Sequence, residues 1–287
     1  MKKIIQFFAF LALLNSGLKA QNGTPQNAGA RGAAMGNASV TFSDINSAFS
    51  NQAGLAFLEG LSFTAYGERR FLAEGLNSYL FAAAFPDAKI GTFGLSVNYF
   101  GFKDYNEQKI GLAYARKLAK NFSLGVQLDY LGTRIPNYGA AHSVTVEIGL
   151  LAKLSEKFSL GAHIYNPTHS KVGAQERLPS LVNIGLAYSP SKKVTLTGQL
   201  EKDIYDHPFA GRVGVEYRPV EALSLRAGIV ASEAAQASFG IGVLVQSLRI
   251  DFATSYHQIL GFTPSVSLSY GLAPITKKKV STEESPE

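Results

Sequence analysis

The chain has no cysteine. No disulfide can staple it, so stability must come from burial or from closed backbone hydrogen bonding. There is also no thiol near the start of a mature chain to carry a lipid anchor. Long apolar runs are missing too: a membrane-spanning helix needs about 20 apolar residues, and nothing after the first 20 residues offers that. A large basic excess is absent. The formal net charge is +6, but the first 20 residues contain Lys2, Lys3 and Lys19, and what is left is too thinly spread for a nucleic-acid footprint. No linker divides the chain.

What is present begins with a basic start, Lys2-Lys3, a mostly apolar stretch from Ile4 to Leu14, and small residues up to Ala20. That order predicts a secretory signal peptide over residues 1–20. From Leu61 onward apolar residues alternate with small or polar ones. In Phe122-Ser123-Leu124-Gly125-Val126-Gln127-Leu128-Asp129-Tyr130 one face is apolar and the other is Ser, Gly, Gln and Asp. A period of two means strands. Fourteen such runs fit between residues 61 and 272, at the spacing of an outer-membrane barrel. The sequence therefore predicts an all-β, fourteen-stranded antiparallel transmembrane β-barrel. Connections after even-numbered runs read as tight and most of those after odd ones as longer, for example residues 101–108, 132–142 and 257–264. A soluble β-sandwich also alternates, but the lumen-side pattern is too polar and glycine-rich for a dry core.

The apolar face must meet lipid, because unpaired charge there is costly. Asp129, Glu147, Glu201, Arg212, Glu216, Arg226, Arg249 and Asp251 all fall on the small or polar parity and are expected to point into the lumen. Residues 21–60, before the first strand, lack long alternation and read as an irregular or weakly helical hatch. A tail over 273–287, with Lys277-Lys278-Lys279 and then Glu283, Glu284 and Glu287, reads as disordered and periplasmic.

Two stretches resemble a known family. Ala30-Arg31-Gly32-Ala33-Ala34-Met35-Gly36, then Asp44, then Asn51-Gln52-Ala53-Gly54-Leu55, resemble the amino-terminal signature of FadL-like and PorV-like outer-membrane barrels, with Gln52 where that pattern has proline. Later motifs such as Arg177-Leu178-Pro179-Ser180 and Leu225-Arg226-Ala227-Gly228 are similar to strand motifs of the PorV and PorQ group. The resemblance implies a hatch motif at Gly32, Gly36, Asp44, Asn51 and Gly54, and a place in the outer membrane of a Gram-negative bacterium. It implies a non-enzymatic role beside a SprA-like translocon in type IX protein secretion, as accessory, shuttle or plug. The alternative it implies is a FadL-like channel for hydrophobic small molecules.

No cofactor is expected. The five histidines, His142, His163, His169, His207 and His257, lack metal spacing and read as solvated loop or strand-end residues. Gly240-Ile241-Gly242 lacks the strand-then-helix setting of a dinucleotide site and reads as packing glycines on a lumen face. For partners besides the bilayer, Ile259, Leu260 and Phe262 mark either a docking patch or burial against the barrel mouth. The lysines of the tight-turn rim, among them Lys117 and Lys153, read as a solvated rim or a periplasmic docking face.

Overall fold

The structure is a computed structural model describing residues 27–136, 139–172, 176–205, 209–232 and 234–272. The expected signal peptide, the tail and His207 lie outside these residues. The strands are β1 (Ser62–Arg69), β2 (Asn77–Asp87), β3 (Gly91–Phe102), β4 (Tyr105–Ala119), β5 (Phe122–Ile135), β6 (Gly139–Lys153), β7 (Phe158–Tyr165), β8 (Lys171–Val172), β9 (Glu176–Arg177), β10 (Leu181–Ser191), β11 (Val194–Asp203), β12 (Ala210–Val220), β13 (Leu223–Ala231), β14 (Gln236–Val245), β15 (Leu248–His257) and β16 (Gly261–Gly271). Fourteen of them form a closed antiparallel barrel, with β8 and β9 a separate small hairpin. Closure joins β1 to β16 from Ser62↔Gly271 to Glu68↔Ser265. A closed ring of this kind leaves no edge and pairs the backbone without disulfides.

Strand parity sorts the side chains as the alternation requires. Leu128, Ile184, Val213, Ile229 and Phe252 are more than half exposed on the outer surface, while Asp129, Glu216 and Asp251 are buried within. Aromatic pairs ring the outside at two heights: Phe93 with Tyr114 and Phe158 with Tyr188 near the short turns, Tyr79 with Tyr99 and Tyr256 with Phe262 near the other rim. Two aromatic girdles around an apolar band are the surface of a barrel that crosses a bilayer.

The far rim differs from the sequence expectation. Only Lys103 and Asp104 join β3 to β4, and only residues 258–260 join β15 to β16. Residues expected in loops at 101–108 and 132–142 instead extend β3 to β6, paired in register as far as Phe102↔Tyr105 and Ile135↔Gly139. Their outward positions turn polar there, which the sequence reading took for loop. A long connection does follow β7. Asn166, at φ 54°, turns the chain inward: its side chain accepts from the Ser170 amide at 2.8 Å and donates to the Leu178 carbonyl at 3.2 Å. The β8–β9 hairpin is thereby held inside the mouth, where Val172 and Leu178 pack on Leu131 and Ala141.

Candidate functional site: the hatch and the lumen

The segment ahead of β1 fills the lumen. It contains helix α1 (Gly29–Ala34) and two 3-10 turns, Ile45–Phe49 and Gln52–Phe57. Asp44 and Asn51 cap these turns, accepting from the amides of Asn46 and Ala53. The hatch motif thus divides its work: two polar residues start the turns, and the glycines allow close approach. A Cβ on Gly54 would strike the Phe42 carbonyl, one on Gly32 the Ala28 side chain, and one on Gly36, at φ +62°, the Ile229 backbone.

The hatch runs once around the inner wall. Ala30 meets Ser267 on β16; Gly36 and Ala34 meet Ser238 on β14; Ser39 and Val40 both donate to Gln199 Oε1 on β11, each at 3.0 Å. Asn51 then donates to the Leu150 carbonyl on β6, and the Ala53 carbonyl accepts from Ser123 on β5 at 2.8 Å. Along this path the wall itself is glycine. A Cβ at Gly94, Gly125, Gly149, Gly161, Gly185, Gly214, Gly228 or Gly240 would collide with Leu55, Ala53, Asn51, Val40, Val40 again, Met35, Gly36 or Ala34 respectively. The Gly240 reading thus acquires a partner. The apolar side of the hatch, including Phe49 and Leu55, packs on small wall residues such as Ala82, Ala84, Ala113 and Ala115.

Gln199→Leu tests how the hatch is seated. The change leaves two buried amides without an acceptor, at about 1–3 kcal/mol each. Hydrogen exchange at Ser39 and Val40 is expected to accelerate by more than tenfold while the β11 amides keep their protection; unchanged exchange at 39 and 40 would disprove the seating.

Two charged clusters flank the hatch. Toward the short-turn rim, Glu216 accepts from three arginines: Arg31 of the hatch at 3.0 Å, Arg218 at 2.8 Å and Arg226 at 2.7 Å. Arg226 also binds Asp251 at 2.7 Å, and Arg31 pairs with Asp44 while lying over the Phe42 ring. Toward the mouth, Lys109 Nζ lies 2.6 Å from Glu147 and 3.7 Å from Asp129. His163 Nε2 and Gln52 Nε2 both meet Glu147 Oε2 at 2.8 Å. Glu201 and Arg212 pair separately at 2.6 Å. All eight lumen charges named from sequence therefore line the interior, and all but Arg249 have a partner in it.

Other expectations shift. His163 is not solvated but 2% exposed. His142 stacks on Tyr130, and His257 accepts from the Ile259 and Leu260 amides. Phe262 belongs to β16 and faces outward against Tyr256, while Ile259 is 83% exposed at the turn, so none of that trio covers the mouth. Lys117 and Lys153 are not merely solvated rim: both ammonium groups lie over the Phe57 ring, where the hatch leaves the lumen. Nothing in the sequence assigns a role to Arg31, Lys109 or Gln199. Gln52 alone carried a signal, as the residue standing where the resembling pattern has proline, and with Lys109 and His163 it reaches Glu147.

A cleft of about 20 Å³ near the β8–β9 hairpin is lined by the apolar Phe100, Leu131, Val172 and Leu178 together with Asn98, Glu107, Gln108, Lys109 and Thr133. That is room for about one water.

No protein-family model matches the chain, and no curated protein matches it in sequence. Solved structures do match. The toluene transporter TodX of Pseudomonas putida superposes with a TM-score of 0.69 at 13% identity, covering 87% of this chain and 99% of TodX. A FadL homologue of Pseudomonas aeruginosa gives 0.62 at 14%, covering 88% and 100%. The monoaromatic hydrocarbon channel CymD gives 0.63 at 13%, covering 86% and 98%. At such identities the likeness speaks for architecture, and the fold of this chain is that of the FadL-type outer-membrane barrels.

Proposed function

We propose that this protein is an outer-membrane channel for apolar small molecules, closed at rest by its hatch. The observation that carries the reading is the likeness, over nearly the full length of both chains, to a toluene transporter and a monoaromatic hydrocarbon channel. A second feature agrees with it. The obstruction is a segment seated by hydrogen bonds and ion pairs on glycines, which can leave without unfolding the wall, and four of the residues lining the cleft beside the β8–β9 hairpin are large and apolar. A ring-sized solute needs the β8–β9 hairpin to lift and the hatch to shift.

Uptake of radiolabelled toluene is the test, in cells that carry this chain in an outer membrane stripped of other hydrocarbon channels. Uptake several-fold above the empty-vector control is expected; uptake equal to the control would rule the channel out. The narrower expectation of a type IX accessory is not carried by these neighbours. The hatch seated in the lumen is the observation that favours it as a second reading, since a docking subunit needs no open path. Control-level uptake together with a large stoichiometric partner co-purifying in mild detergent would favour that role.

A further inference from the structure

We infer that the acidic segment at Glu283 and Glu284 docks at the short-turn mouth of the lumen, on the arginines beneath the hatch. The cluster there holds Arg31, Arg218, Arg226 and Arg249 against Asp44, Glu216 and Asp251, an excess of one positive charge. Each of the three carboxylates is engaged by an arginine. Arg249 makes no hydrogen bond or ion pair among the described residues; it stands within reach of the charges of Arg31 and Arg226 and, less closely than an ion pair, of Asp44 and Asp251. Arg226 Nη2 is buried with no partner. Arg226 already holds two carboxylates, so it is the guanidinium of Arg249 that has none in contact, the group a guanidinium binds in a planar, charge-assisted fork.

The occupant follows from where the chain goes. Arg249 is paired directly with Ser269 on β16, and the barrel ends at Gly271, so the chain passes this rim beside the unpaired arginine. Ten residues, 273–282, separate Leu272 from Glu283. At about 3.3–3.6 Å each they reach up to about 35 Å, ample for the mouth. Tethering at that length keeps the carboxylates at an effective concentration of the order of millimolar. Lys277, Lys278 and Lys279 belong to the tether, while the docking end carries the glutamates. Seated on Arg218 and Arg249, the segment lies under Arg31 and holds the hatch from the short-turn side.

The cysteine-free chain makes the test direct. Spin labels on Ser285→Cys and Ser247→Cys of the full chain in nanodiscs are expected to give a short, narrow distance distribution at low salt. It should broaden at about 1 M salt, where screening shortens to about 3 Å, and likewise in Arg218→Gln/Arg249→Gln and in Glu283→Gln/Glu284→Gln. A broad distribution at low salt overturns the proposal. So does a narrow one indifferent to both pairs of substitutions, which places the segment elsewhere, or one lost on dilution with unlabelled protein, which assigns the contact to a second copy. Unchanged heat-dependent gel mobility of the arginine variant keeps the comparison between folded barrels.

Discussion

Glu216→Ala is expected to release the hatch and to turn a silent protein into one that conducts ions across a planar bilayer. Glu216 is 1% exposed and is the single acceptor that joins hatch Arg31 to wall Arg226 and Arg218. Removing one partner from a buried ionic set costs of the order of 3–5 kcal/mol, because the remaining charges stay desolvated and unmatched. Three guanidinium groups then repel across the space the carboxylate held, and Asp44 remains beside Arg31 as its sole counter-charge. The wall does not share the loss in full, since its strands stay paired around the ring. The urea midpoint for hatch exposure, read by proteolysis within residues 27–60, should therefore fall far more than that for loss of barrel sheet. Glu216→Gln, which keeps the volume and one acceptor oxygen, should fall between. Closed-channel behaviour in Glu216→Ala, with an unshifted midpoint, would show that the ion pairs do not hold the hatch.

Gly228→Leu should open the lumen by a different route. A Cβ there falls on the Gly36 amide and the Met35 carbonyl carbon, backbone atoms that have no rotamer to move away. Overpacking ordinarily costs about 1–3 kcal/mol. Here the strand is locked by pairs on both sides, Val215↔Ala227 and Ala227↔Phe239 among them, so the hatch is what gives way. Frequent large openings in bilayers are expected, with heat-dependent gel mobility unchanged. Gly198→Leu is the matched control: it lies on β11 with nothing within 4 Å of an added Cβ, on the outward parity between Leu196 and Leu200. Equal conductance from the two leucine variants would mean that the glycine path around the wall is not a hatch seat.

The barrel was legible because its signal is local. Each run such as residues 122–130 carries its own period of two, and parity alone sends Asp129 inward and Leu128 outward. The hatch was legible as something other than strand, and its motif residues proved to be turn caps and close-approach glycines. Its circuit was not legible, because a lumen glycine that receives a backbone, such as Gly228, looks in sequence like any small inward residue. Charge partners were equally hidden: Arg31 and Glu216 are 185 positions apart. His163 is hidden for a related reason: its place near a strand end suggests solvent, but its inward parity on β7 sets it against Glu147, 16 positions earlier. The far-rim loops were overestimated because strands that rise beyond the lipid become polar on their outer face and lose the contrast by which strands are recognised.

The circuit of the hatch constrains the order in which the molecule can be assembled. Its first residues rest on β16 and β14, with Ala30 and Ser267 separated by 237 positions, while its last turn rests on β3 to β6. Half of the seat therefore exists only once the final strands have formed, and β1, which follows the hatch directly, must pair with β16 to finish the ring. Contacts between the two ends of a chain are the slowest to form. Closing the seam and seating the first half of the hatch thus belong to one late event, and a chain stalled before its last strands exposes a half-covered plug along an open sheet edge, the form most prone to associate with other chains.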